Sequence, residues 1–202
     1  MANRSYLYST NVIPGSDFKK DEREFIGISE WNYDIPIVFK LLLSGNPIAC
    51  KSSIWEMPDK IALVGDYEKG VERLKNFLDQ ISLPEAQPLI REALEFLALN
   101  ENRKRYFVLE CGEIFEIGNE PIPEQNLQLL ENINRIEAEI EVALRTLVPL
   151  PMEDPKSQGL LEKLFGKKPA PTTPRADPLL PVYELGLGNW SNILYFDFSN
   201  NA

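Results

Sequence analysis

The sequence predicts an α+β fold: a mixed, largely antiparallel sheet of about five strands, about four helices packed on it, and a Pro-rich excursion late in the chain. Three observations carry this. Short runs rich in aromatic and branched residues, the mark of strands, are interspersed with longer stretches whose apolar residues recur at helical spacing. The 202 residues are 44% hydrophobic and 26% charged, an ordinary globular composition, and a chain of this size buries roughly 70% of its unfolded surface. Half of the 16 prolines fall between Pro149 and Pro181, a density that interior helix or sheet does not tolerate.

In chain order, Arg4 to Ser9 alternates in character, with Tyr6 and Tyr8 on one face and Leu7 on the other, and reads as a first strand. Pro14-Gly15 signals a loop, and Phe25 to Ser29 a second strand. Trp31 to Pro36 leads into a helix that Asp34 is placed to cap; Ile37, Val38, Leu41 and Leu42 form its inner face and Gly45 its stop. Ile61 to Val64 reads as a buried strand. Asp66 then caps a helix carrying Val71, Leu74, Leu78 and Ile81, and beyond Pro84 a further helix turns Leu89, Ile90, Ala93 and Leu97 inward. Tyr106 to Cys111, with the uninterrupted core run Phe107-Val108-Leu109, is the candidate central strand. The stretch Ile114 to Ile117 is a candidate short strand. Pro123 opens the longest expected helix, about six turns with a stripe from Leu127 through Leu130, Ile133, Ile136, Ile140 and Leu144 to Leu147.

The domain reading is therefore one α+β body over 1–148 plus 182–202, interrupted by the excursion 149–181 with a short amphipathic helix at Leu160 to Phe165. Val182 to Leu185 and Ile193 to Phe198 are expected as returning strands, the second a candidate partner for the first strand of the chain. The intervening Gly186-Leu187-Gly188 is a hairpin loop and not a phosphate loop, because a strand and not a helix is expected to follow it.

Charge and chemistry narrow the function. Acidic residues outnumber basic ones 31 to 21, a formal charge of −10. Nucleic acid and anionic membrane surfaces are disfavoured as partners, and a basic protein is favoured. No histidine is present, which removes the commonest general base and the Ser-His and Cys-His nucleophile pairs. No cofactor site is evident, and no Asp-rich calcium loop. Cys50 and Cys111 are far apart and expected as reduced core thiols; the acidic neighbours Glu110 and Glu113 make Cys111 a poor nucleophile. Neither a signal peptide nor an apolar run of about 20 residues is visible, so a cytoplasmic location is expected.

Four segments, Ala2 to Ser9, Ile28 to Pro36, Tyr106 to Glu110 and Tyr183 through Phe196, together resemble a family of uncharacterised bacterial proteins opening with Ala-Asn-Arg-Ser-Tyr-Leu-Tyr-Ser. The resemblance spans the chain but not 149–181, and it carries no catalytic residues with it. It implies a small acidic protein of a kind suspected of immunity function.

The expected activity is accordingly protein binding and not catalysis: a module, such as a bacterial immunity protein, that sequesters a basic toxin domain. Trp31, Tyr33 and Trp190 are the candidate anchors, since Trp and Tyr dominate interface hot spots. Glu113, Glu116 and Glu120, within an acidic run from Glu110 to Glu141, are the candidate steering carboxylates. Two alternatives stay open. One is a carboxylate-dependent hydrolase using Glu30 and Asp34; the other is a passive adaptor acting through the Pro-rich segment.

Overall fold

The computed structural model describes residues 3–17, 24–147, 179–196 and 198. Its centre is a five-stranded, wholly antiparallel sheet made of β1 (Arg4–Thr10), β2 (Phe25–Asn32), β3 (Ile48–Cys50), β4 (Ala62–Asp66) and β5 (Tyr106–Glu110), in the spatial order β2-β1-β5-β4-β3. Seven helices accompany it among the described residues: α1 (Ile37–Leu43), α2 (Tyr67–Leu78), α3 (Gln87–Ala98), α4 (Gly112–Phe115), α5 (Ile122–Asn134), α6 (Glu137–Thr146) and α7 (Leu180–Glu184). Four of these, α2, α3, α5 and α6, have ten or more residues. The α+β class expected from the sequence is the class observed.

The apolar run of β5 earns the middle position. Phe107 and Leu109 join the main core beneath the helices, while Val108 points to the opposite face with Cys50, Ala62 and Val64. The alternation of Tyr6, Leu7 and Tyr8 divides in the same way. Leu7 lies in the main core, and Tyr6 and Tyr8 pack with Leu194 on the other side. On the helix side α1 and α2 approach so closely that Gly70 is obligatory: a Cβ there would overlap the Leu42 carbonyl.

Several elements depart from the sequence expectation. Strand β2 runs on to Asn32, so Trp31 belongs to it. The cap of α1 is Pro36, and Asp34 Oδ1 instead accepts the N–H of Ile35 at 2.7 Å. Asp66 does hold the cap position of α2 but makes no capping bond; its carboxylate takes the Asn46 amide at 2.7 Å. Ile114 lies in a helix and not in a strand, because the β5 chain turns at Cys111 directly into α4.

The long helix expected after Pro123 is two helices. It breaks at Arg135, whose backbone leaves the helical region (φ −121, ψ 30). The apolar spacing runs through the break, with Ile133 and Ile136 both buried, while the change of direction brings Glu139 to Lys40 at 2.6 Å and Glu137 to Arg73 at 3.0 Å. The inner face of α5 is also displaced by one residue: Asn126, Leu129 and Ile133 are buried, and Leu127 is 52% exposed.

The tail is the largest correction. Val182 lies in helix α7, with Pro181 in its first turn, and Ile193 to Phe196 form no strand. β1 is already paired on both sides, by β2 and β5, so no slot remains beside it. The tail instead covers the free edge of β2 through a single bridge, Ser29 to Trp190. Three bonds support it: Ser29 Oγ to Asn189 O at 2.8 Å, Ser191 N to Ile28 O at 3.1 Å, and Asn192 Nδ2 to Gly27 O at 2.8 Å. This masks an edge that would otherwise invite pairing. Gly186 (φ 100) and Gly188 (φ 96) supply the left-handed turns that deliver it there. The excursion 149–181 and the helix expected at Leu160 to Phe165 lie outside the described residues, apart from Leu179 to Pro181 where α7 begins.

Candidate partner-binding surface

The first strand-to-helix connection carries the most exposed aromatic ring of the sequence-selected set. β2 ends at Asn32, and Tyr33 adopts a left-handed backbone conformation (φ 63) while its N–H donates to Asn3 O at 2.7 Å. A non-glycine residue held in that region is uncommon, and here it turns the Tyr33 side chain outward, 65% exposed. Two residues on, Ile35 forms part of the floor of an open groove of about 400 Å³, together with Phe115 and Leu129. Glu120, Gln128 and Asn132 line its sides. Gln125 fixes the α4–α5 connection by donating to Phe115 O at 2.9 Å and Glu120 O at 2.7 Å.

Of the sequence-selected residues, Glu120 lines this groove, while Tyr33 lies two residues before its Ile35 and Glu116 directly follows its Phe115 in the chain, both exposed. Ile117, 59% exposed, adds an apolar side chain to the α4–α5 connection. Glu120 Oε2 accepts from Gln128 Nε2 at 2.8 Å.

The other three lie elsewhere. Glu113 turns back to the sheet and accepts from Arg4 N at 2.9 Å and from Tyr6 OH at 2.8 Å. Trp31 is half-buried against the main core from the outer strand β2. Trp190 packs on Phe96 of α3, ring centroids 5.9 Å apart, with its buried indole N–H unpartnered. Much of the expected acidic run is also committed: Glu137, Glu139 and Glu141 pair with Arg73, Lys40 and Arg145.

Each carboxylate considered for hydrolysis has a partner within the protein. Glu30 binds Arg4 at 3.3 Å and accepts the Tyr195 N–H at 2.7 Å, while Asp34 is occupied by its own chain. Among the described residues no group of three or more Cys, Asp or Glu is placed to hold a metal ion. No helix among them is long and apolar enough to cross a membrane.

Sequence reasoning missed a polar row beneath the opposite face of the sheet. Cys50, Ala62, Glu110, Tyr6 and Glu30 are cross-strand neighbours in register, and Glu110 is fully buried. Its carboxylate accepts from Ser53 N at 2.6 Å and Ser52 Oγ at 2.8 Å. Burial pushes Glu110 up to about 7 from an ordinary 4.5, with those two bonds opposing. The thiol of Cys50 is raised by burial and by the nearby Glu110 charge, and Cys111 is raised by the same causes. The signal was period-2 alternation: in a strand centred on Val108, Glu110 must share its face.

Residues 11–149 match a family model described as a domain of unknown function (DUF7822). No curated protein and no solved structure matches the chain.

Proposed function

We propose that this chain, which belongs to the DUF7822 family, is a protein-binding module that takes a basic partner at the Tyr33 groove. The observation that carries the reading is Tyr33 itself: an exposed ring on a left-handed backbone, two residues from Ile35 in an apolar-floored groove lined by Glu120. A tyrosine has only two side-chain torsions to order on docking, and the carboxylates of Glu116 and Glu120 steer a positively charged surface toward it. The net charge of −10 acts in the same direction at longer range.

The finer reading is a bacterial immunity protein acting in the cytoplasm, with a basic toxin domain as the sequestered partner. The family's members in this reading open with the Ala-Asn-Arg-Ser-Tyr-Leu-Tyr-Ser segment seen at Ala2 to Ser9. The test is co-purification of the neighbouring gene's product with the chain at low and high salt, repeated with Tyr33→Ala and with the double variant Glu116→Lys, Glu120→Lys. A stoichiometric basic partner, weakened roughly tenfold or more by Tyr33→Ala and slowed in association by the charge reversal, is the expected result. A partner that binds both variants like the parent overturns the assignment of the surface. Failure of any basic protein to bind overturns the function.

A further inference from the structure

The chain between β3 and β4, residues 51–60, crosses the sheet face that the helices leave uncovered. It has no secondary structure of its own beyond turns and is held at three points. Ser52 and Ser53 bind the Glu110 carboxylate, and Ser52 Oγ also accepts from the N–H groups of Ile54 at 3.0 Å and Trp55 at 2.9 Å. The Trp55 ring sits over Gly112 so closely that an added Cβ would lie 2.6 Å from it. At the far end Asn126 Nδ2 donates to Lys60 O at 3.1 Å and Ala62 O at 3.2 Å.

The central fastening is the unusual one. Glu110 is removed from water in the middle strand and takes part in none of the salt bridges among the described residues. The groups around it supply no compensating cation. Cys50 faces it from β3, and Cys111 follows it in the chain, its thiol on the helix-side core. On β1 the Tyr6 hydroxyl is committed to Glu113 and Arg4 to Glu30. Lys60 is exposed at the end of the crossing segment, and Lys40 pairs with Glu139.

We propose that Glu110 is a proton-controlled latch for residues 51–59: protonated, it leaves the segment seated on the sheet, and ionised, it drives the segment to lift so that water reaches the carboxylate. Two hydrogen bonds do not replace the hydration that an anion loses on burial. The sign follows from linkage. The seated state holds the proton up to about pH 7 and the lifted state only to about 4.5, so rising pH between those values favours lifting.

Lifting frees the amides of Ile54 and Trp55 from Ser52 Oγ, which gives the readout. Hydrogen exchange at these two amides, resolved by peptide mass spectrometry, is followed from pH 5.5 to 8 in the full chain and in Glu110→Gln. The ratio of the two rates cancels the intrinsic pH dependence of amide exchange. That ratio is expected to rise about thirtyfold over the interval, from the two pKa values and the linkage relation; an unchanged ratio overturns the proposal. A second comparison needs no variant. Hydrogen exchange at the amides of Ile54 and Trp55, corrected for intrinsic rate, should accelerate over the same range while that of Val108 and Leu109 does not. Equal acceleration in strap and sheet would mean general loosening and would equally overturn the latch.

Discussion

Replacing Asn126 by Leu should destabilise the protein by about 1–2 kcal/mol. Asn126 is 1% exposed on the inner face of α5, and its amide nitrogen reaches two carbonyls, of Lys60 at 3.1 Å and Ala62 at 3.2 Å. Both partners are acceptors, so only the NH2 end of the amide can serve, and its orientation is fixed by chemistry. Leucine fills a similar volume but donates nothing. Each lost bond costs about 1–1.5 kcal/mol, more where the carbonyl stays dry; added apolar burial offsets at most about 1 kcal/mol. With a urea slope of about 2–3 kcal/mol/M for a chain of this size, the unfolding midpoint should fall by about 0.5 M, read by circular dichroism. Asn126→Asp sharpens the test, because it sets carboxylate oxygens against carbonyl oxygens. It should be less stable than the Leu variant near pH 7 and recover as pH falls toward about 4, since the buried native carboxyl takes its proton before the unfolded one does. A Leu variant within ~0.2 M of the parent, or an Asp variant as stable as the parent at pH 7, would refute the assignment of this amide as the tie between α5 and the sheet.

Other expectations follow from the same geometry. Glu110→Gln should gain stability relative to the parent as pH rises: the native carboxyl titrates near 7 and the unfolded one near 4.5, so the parent loses about 3 kcal/mol across that window, at 1.36 kcal/mol per unit. Denaturant titrations at pH 4.5 and 8 that show parallel shifts for parent and variant would contradict it. Gly70→Ala should cost at least about 2–3 kcal/mol by forcing α1 off α2 at the Leu42 carbonyl; a melting temperature unchanged within a degree or two would argue that the helices can separate freely. Gly186→Ala adds strain at φ 100 and a clash with Pro36, and should lower the melting temperature by a few degrees.

The parts of this fold that the sequence made legible were those where one physical preference acted alone. The Phe107-Val108-Leu109 run belongs at the sheet centre because only a strand covered on both faces has use for it, and that is its place. Legibility failed where the packing partner decided. The stripe beginning at Leu127 hid the fact that Asn126 faces inward to carbonyls fixed by a distant segment. The break at Arg135 keeps the apolar spacing intact, so periodicity cannot register it. The tail carries β-forming residues, but β1 was already taken on both sides, a constraint of topology and not of propensity. At the surface, nothing local in the sequence told Tyr33, which faces out, from Trp31, which faces in. Strand alternation would put both on one face; what parts them is the left-handed backbone at Tyr33 (φ 63), just past the end of β2.

The strand order also sets a timetable for synthesis. β1 lies between β2, its hairpin neighbour, and β5, about a hundred residues further on: Tyr6 pairs with Glu110. At roughly 5–20 residues per second, a nascent chain waits several seconds or more before the second partner leaves the ribosome. During that interval the hairpin presents Leu7 and Ile28, later wholly enclosed, to whatever is nearby. Ribosome-associated chaperones should therefore engage this chain early, at its first two strands, and release it only after β5 has emerged.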